Sequence, residues 1–248
     1  MKYVGSKSKI AKHIVPIIQK YIDDNKTSTY VEPFVGGGNI IDKIKCENKY
    51  GLDIDPLVID LFVATINSPK LLDQLPNFID KLYYYEVRDN PTKYPKWYRS
   101  AILLFASYNA RVYGGCFGGY ARTKYGSIRN YYLEALNNYK KQLPNLKGIE
   151  FIECDYKNLK CKNCVIYCDI PYSDGIGYKD KFNHIEFWNW CREMSKNNII
   201  LISEYNAPND FKCIWEQEIT THMNNRNKIK KVEKLFIYKG DKNETNTI

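Results

Sequence analysis

At 248 residues the chain is long enough for one well-buried core plus one inserted subdomain. A net charge of +9 and a pI near 8.9 favour a polyanionic partner. No apolar run approaches the ~20 residues of a membrane span, and Lys12, His13 and Pro16 interrupt any apolar leader, so a soluble cytoplasmic protein is expected. The eight cysteines then read as reduced thiols rather than a disulfide framework. Four of them cluster at Cys154, Cys161, Cys164 and Cys168, but no second C-x-x-C follows, so no metal site is expected.

In chain order, Tyr3-Val4-Gly5-Ser6-Lys7 forms a tight turn that brings the Lys7 ammonium toward an anionic ligand. Apolar residues at 10, 14, 17, 18, 21 and 22 predict a helix over 10–22 with Pro16 inside it. A strand at Thr29-Tyr30-Val31-Glu32 follows, running through Pro33 and Phe34 into Val35-Gly36-Gly37-Gly38-Asn39 and a helical run from Ile40. Strand, glycine turn and helix open a nucleotide-binding βαβ unit, though the third glycine of a dehydrogenase fingerprint is missing. A second strand at 49–52 ends at Asp53-Ile54-Asp55-Pro56. Asp53, 16 residues after Gly37, is placed for the ribose hydroxyls of an adenosine, and Ile54 for its ring. Helices are expected at 57–66 and 71–85.

Between Pro91 and Tyr132 there are seven basic residues, eight tyrosines and no Asp or Glu. A glycine-rich loop or hairpin from Arg111 to Arg122, with Lys124 and Arg129 beyond it, has the make-up of a phosphate-contacting, base-probing element. A helix over 128–142 follows, then a strand from Ile149 that ends near Asp155-Tyr156. Val165-Ile166-Tyr167-Cys168 is a buried strand that delivers Asp169-Ile170-Pro171-Tyr172 at its carboxyl end, where open α/β sheets bind ligands. An acid, a backbone carbonyl and an aromatic face suit a planar base with an exocyclic amine. Residues 173–181 read as a lid, 185–194 as a helix, 199–205 as a buried strand and 231–238 as the last strand. Residues 224–231 fit either a phosphate-facing loop or a hairpin tip, and the tail from Gly240 reads as frayed.

Taken together these motifs, in this order, resemble the Dam-like (alpha-group) site-specific DNA adenine-N6 methyltransferases, in particular phage-like members. The resemblance covers nearly the whole chain. It rests on Tyr3-Val4-Gly5-Ser6-Lys7, Glu32-Pro33-Phe34-Val35-Gly36-Gly37-Gly38, Asp53-Ile54, Asp155-Tyr156, Asp169-Ile170-Pro171-Tyr172 and Ser203-Glu204-Tyr205-Asn206. The family's catalytic D-P-P-Y appears here with Ile170 for the first proline. The carbonyl acts at that position, Ile keeps it, and Pro171 biases Ile170 toward an extended backbone.

The resemblance implies an α/β fold with a Rossmann-like sheet and helices on both faces. Residues 1–67 and 146–248 would form the catalytic domain, with 68–145 an inserted helical and hairpin target-recognition subdomain. It implies S-adenosyl-L-methionine (AdoMet) as cofactor, held by Tyr3, Lys7, Glu32, Pro33, Phe34, Gly36, Gly38, Asp53, Ile54, Asp155, Tyr156 and Asp169. Asp169, Ile170, Pro171 and Tyr172 would be catalytic, acting on an adenine flipped out of double-stranded DNA. Arg111, Arg122, Lys124 and Arg129 would contact the DNA, and a monomer is expected. Methylation of cytosine N4, a catalytically idle DNA-binding relative and a dinucleotide-dependent dehydrogenase are the alternatives. Restriction–modification, regulatory and phage-protective uses all fit the sequence.

Overall fold

The computed structural model describes residues 1–113, 115–171, 182–224 and 227–239. Its elements are α1 (Ala11–Asp24), β1 (Thr29–Glu32), β2 (Asn48–Asp53), α2 (Pro56–Asn67), α3 (Lys81–Asp89), α4 (Lys96–Ala106), β3 (Tyr120–Arg122), β4 (Ile128–Asn130) and α5 (Tyr131–Gln142). They continue with β5 (Ile149–Glu153), β6 (Val165–Asp169), α6 (His184–Met194), β7 (Ile199–Glu204), β8 (Phe211–Asn224) and β9 (Asn227–Tyr238). Seven strands form one sheet in the order β5-β2-β1-β6-β7-β9-β8, and β3 and β4 pair as a separate hairpin.

The sheet is parallel from β5 to β7, and β9 enters antiparallel beside β7. Period-2 alternation puts Tyr30, Val165 and Tyr167 on one face, packed with α1, α2, α4 and α5, while Val31, Ile166 and Cys168 face α6. The expected mixed α/β fold with helices on both faces is therefore what the chain adopts. Strand order reverses at β1, whose two neighbours are β2 and β6. Outside the carboxyl ends of β1 and β6 a crevice opens, as it does at such switch points in other open α/β sheets.

Several local expectations are corrected. The run from Ile40 is not a helix but a single 3-10 turn, Ile41–Lys43. Too few residues separate Asn39 from β2 at Asn48 for a helix and its return, and Ile40, Ile41 and Ile44 are buried instead. The helix expected over 71–85 divides into a 3-10 segment, Pro69–Gln74, and α3. Pro76 interrupts it, and Asp80 restarts it by accepting from Tyr83 N at 2.7 Å. Helix α5 starts at Tyr131 rather than 128, because residues 128–130 pair in the hairpin before Asn130 caps the helix.

Helix α4 was not expected at all. Residues 100–106 are all buried, and the helix lies between α2 and α5 in the cluster that also holds Tyr30 and Tyr167. Seven consecutive buried residues carry no amphipathic period. Leu104→Ala is accordingly expected to cost ~2–5 kcal/mol, measured by denaturant titration.

β8 was also missed. Its ladder with β9 shifts register between Cys213 and Trp215, which breaks the alternation a strand would display. Asn224 pairs with Asn227, so the backbone of the 224–231 stretch belongs to the β8–β9 ladder, with 225–226 outside the described residues. The 173–181 stretch, Tyr172 and the tail from Gly240 also lie outside the described residues. None of the eight cysteines is bridged. Among the described residues no helix is long and apolar enough to cross a membrane.

Candidate active site

Three backbone devices shape the crevice. Gly5 adopts φ +73° while Ser6 N donates to Tyr3 O at 3.2 Å, turning the chain so that Lys7 points inward. At the end of β1 the chain passes through Gly36 and Gly38 at φ +45° and +64°, a region that disfavours side-chain-bearing residues. A Cβ on Gly36 would fall 2.8 Å from Tyr3 Cδ1, so the absence of a side chain lets the Tyr3 ring lie directly on the turn. At the end of β2, Asp53 accepts from Gly36 N on one oxygen and from Asp55 N on the other, both at 2.9 Å.

The Lys7 ammonium meets the Asp169 carboxylate at 2.7 Å, with the two side chains 4% and 22% exposed. Burial pushes the Asp169 carboxyl up, Lys7 pulls it back down, and Glu233 adds upward pressure. Glu32 lies nearby, accepting from the Tyr30 hydroxyl at 2.7 Å. Burial holds its carboxyl well above the usual range, and Asp169 pushes in the same direction. The two acids thus diverge, with the charge stabilised on the one that faces Lys7. Asp53 is pushed up to about 6 by burial, against the backbone N–H groups that favour its ionised form.

These groups line one cavity of about 560 Å³, within the range of sites that enclose a cofactor-sized ligand. Tyr3, Lys7, Glu32, Pro33, Phe34, Gly36, Asp53, Ile54, Asp155, Tyr156, Asp169, Ile170 and Pro171 all reach it. Ile54 is 67% exposed at its rim. Asp155 caps the short turn at Tyr156–Asn158 by accepting from Lys157 N. Tyr156 is buried and packs against Phe34 with ring centroids 5.2 Å apart.

Other expected site residues lie elsewhere. Gly38 faces Phe62 and Leu146 rather than the cavity, and its carbonyl accepts from Gln142 Nε2 at 2.9 Å. Arg122, Lys124 and Arg129 are not among the cavity-lining residues and are carried on the hairpin β3–β4 and its tip, whereas Arg111 lies on the cavity rim. Arg129 makes a two-pronged ion pair with Glu134, at 2.8 and 2.9 Å, just beyond the acid-free stretch.

The sequence reading passed over four contributors: Gln142, which also donates to Gly37 O; Asn39, which donates to Ser6 Oγ at 2.8 Å; Asp55; and Tyr113. Only Asp55 carried a local signal, an Asp-Pro at a helix start. Among the described residues no cluster suited to a metal ion is present.

A family model for the D12 class N6 adenine-specific DNA methyltransferases matches residues 3–236. The modification methylase StsI of Streptococcus sanguinis is 25% identical over 218 residues, 81% of this chain but 32% of that protein. The type II methyltransferase M.MjaIII of Methanocaldococcus jannaschii is 24% identical over 196 residues, 69% of this chain and 68% of that protein. The chain therefore spans about a third of the length of StsI and about two thirds of that of M.MjaIII. Among solved structures, the rRNA methyltransferase AviRa from Streptomyces viridochromogenes aligns with 96% of this chain and 87% of its own at 10% identity, with a TM-score of 0.44. Since the family model takes in the glycine turn, Asp53 and Asp169 alike, the chain belongs to the D12 class N6 adenine-specific DNA methyltransferase family.

Proposed function

We propose that the chain methylates the exocyclic N6 amine of an adenine flipped out of double-stranded DNA, with AdoMet as donor. The observation that carries this reading is the buried Lys7–Asp169 pair, in the same cavity as the glycine turn and Asp53. Family membership supports the base and the atom. The residues present fit the cofactor. Asp53 offers acceptors for a ribose diol, Ile54 an apolar face for adenine, and Asp169 a carboxylate for a cationic sulfonium.

When bound, AdoMet supplies an already activated methyl group, so no metal is required. What the chain contributes is alignment and charge. An adenine amine is a poor nucleophile because its lone pair is delocalised into the ring. Asp169 and the Ile170 carbonyl would accept its two N–H hydrogens and turn the lone pair out of conjugation; as the nitrogen–methyl bond forms and the sulfur–methyl bond breaks, Asp169 would stabilise the ammonium until its extra proton leaves to solvent. Lys7 favours the ionised carboxylate this needs. Tyr172, outside the described residues, is assigned to stack on the flipped base from the Asp169-Ile170-Pro171-Tyr172 motif. Such stacking is worth ~1–3 kcal/mol per base, comparable to the few kcal/mol of unstacking.

DNA contact and target recognition are assigned to 68–145, through Arg111, Arg122, Lys124 and Arg129, with Arg129 exchanging Glu134 for phosphate. The chain would act as a monomer in the cytoplasm. A modification role, as in the name of StsI, is proposed with it.

The test is transfer of labelled methyl from AdoMet to a duplex of mixed sequence, followed by digestion to nucleosides. Label in N6-methyladenosine's deoxy form supports the reading; label in N4-methyldeoxycytidine overturns the base, and no incorporation overturns the function. Asp53 adds a pH dependence. Protonation removes its charge and one acceptor, so AdoMet affinity is expected to weaken as pH falls through about 6, measurable by calorimetry.

A further inference from the structure

The residues between α4 and β3 do more than lead to the hairpin. Their neck is closed by Tyr108 N donating to Cys116 O and Gly118 N donating to Ala106 O, each at 2.8 Å, and by the Ser107–Phe117 bridge. From that neck the chain loops out and lays Ala110, Arg111, Val112 and Tyr113 along the cavity. Asn109 and Ala110 are both left-handed, at φ 52° and 56°, conformations held against local preference. At the far end the Tyr113 hydroxyl donates to Asp55 Oδ1 at 2.9 Å.

Asp55 is a junction. Its Oδ1 also caps α2 by accepting from Leu57 N, and the nearby Tyr3 hydroxyl helps hold its charge. Its own N–H holds Asp53, which in turn holds Gly36 N. Three segments distant in sequence therefore meet on one carboxylate: the N-terminal motif, the β2–α2 turn and the loop that continues into the basic hairpin. Tyr113 is 42% exposed, so its bond can open without unpacking the core.

We propose that Tyr113 and Asp55 form a clasp over the cofactor cavity that slows cofactor release and links it to DNA engagement. The inference rests on the reading of this cavity as an AdoMet site. Opening the Tyr113 limb uncovers the side of the cavity next to Asp53 and Ile54. Arg111, two residues away and exposed on the same limb, gives a backbone phosphate a means of holding it shut. A duplex then retards cofactor release, and whatever factor it adds to the equilibrium affinity for cofactor, bound cofactor adds to duplex binding.

The experiment measures AdoMet release from the full chain by displacement with excess S-adenosylhomocysteine, with and without a duplex of mixed sequence. Tyr113→Phe keeps the ring and removes the bond. A hydrogen bond to a charged group makes the expected acceleration on the order of tenfold, with KM for AdoMet raised and the duplex effect lost. Asp55→Asn, which keeps an oxygen to cap α2, is expected to act in the same direction. Thermal unfolding of Tyr113→Phe should match the wild type, as suits an exposed ring. Wild-type release rates in Tyr113→Phe, with and without duplex, would overturn the clasp and leave the proposed function standing. Failure of the wild type to bind AdoMet would overturn both.

Discussion

Asp169→Ala is expected to lower the single-turnover rate of methyl transfer by about 10²–10³-fold, the usual cost of deleting one preorganised group aimed at developing charge. The same change has a second consequence. Lys7 is 4% exposed, ion-paired with Asp169 and donating to Gly5 O at 3.3 Å, so the variant removes this carboxylate from a buried ammonium. Breaking a buried pair in this way costs ~3–5 kcal/mol, and the partial exposure of Asp169 puts the expected loss toward the lower end. Activity and stability must therefore be separated. The double variant Lys7→Met with Asp169→Ala removes both charges and should recover much of the unfolding free energy in denaturant while remaining inactive. Recovery of activity together with stability would mean that Asp169 acts only through the fold.

The second large effect concerns Lys7 alone. In Lys7→Met the force that pulls the Asp169 carboxyl down is gone, while burial and Glu233 still push it up. Protonation of Asp169 then sets in at higher pH, and the acid limb of the kcat profile moves in the alkaline direction. Loss of a charge-assisted bond worth ~1.5–3 kcal/mol corresponds to roughly 10–100-fold in rate at neutral pH. The sign follows from which form is active. The ionised carboxylate accepts the amine hydrogens, so the deficit is largest at acid pH and narrows as pH rises. A variant slowed by a constant factor at every pH would assign Lys7 to binding rather than to the charge state of Asp169.

What was readable in the sequence was whatever a local pattern encodes. The strands β6 and β7 were visible because parallel strands buried on both faces are continuous apolar runs, and β1, β2 and β5 because short stretches with apolar residues end at an acid. Glu32, Asp53 and Asp169 stood out because an acid that ends such a run has few structural reasons to be there. The turns at Gly5 and Gly36 were legible because left-handed backbone nearly demands glycine. Helix α4 and strand β8 were not: one runs through seven consecutive buried residues, and the other is interrupted by a bulge.

By itself, then, the sequence determined the strand-end chemistry and the order in which the motifs occur. Only the tertiary structure decided which of those groups face one another. It put the Lys7 ammonium on Asp169, joined Gln142 to the glycine turn across 104 residues and tied Tyr113 to Asp55 across 58. These bonds depend on how α5 and the loop after α4 pack against the sheet. No periodicity or spacing records them, because a hydrogen bond between distant segments is set by the core that brings them together.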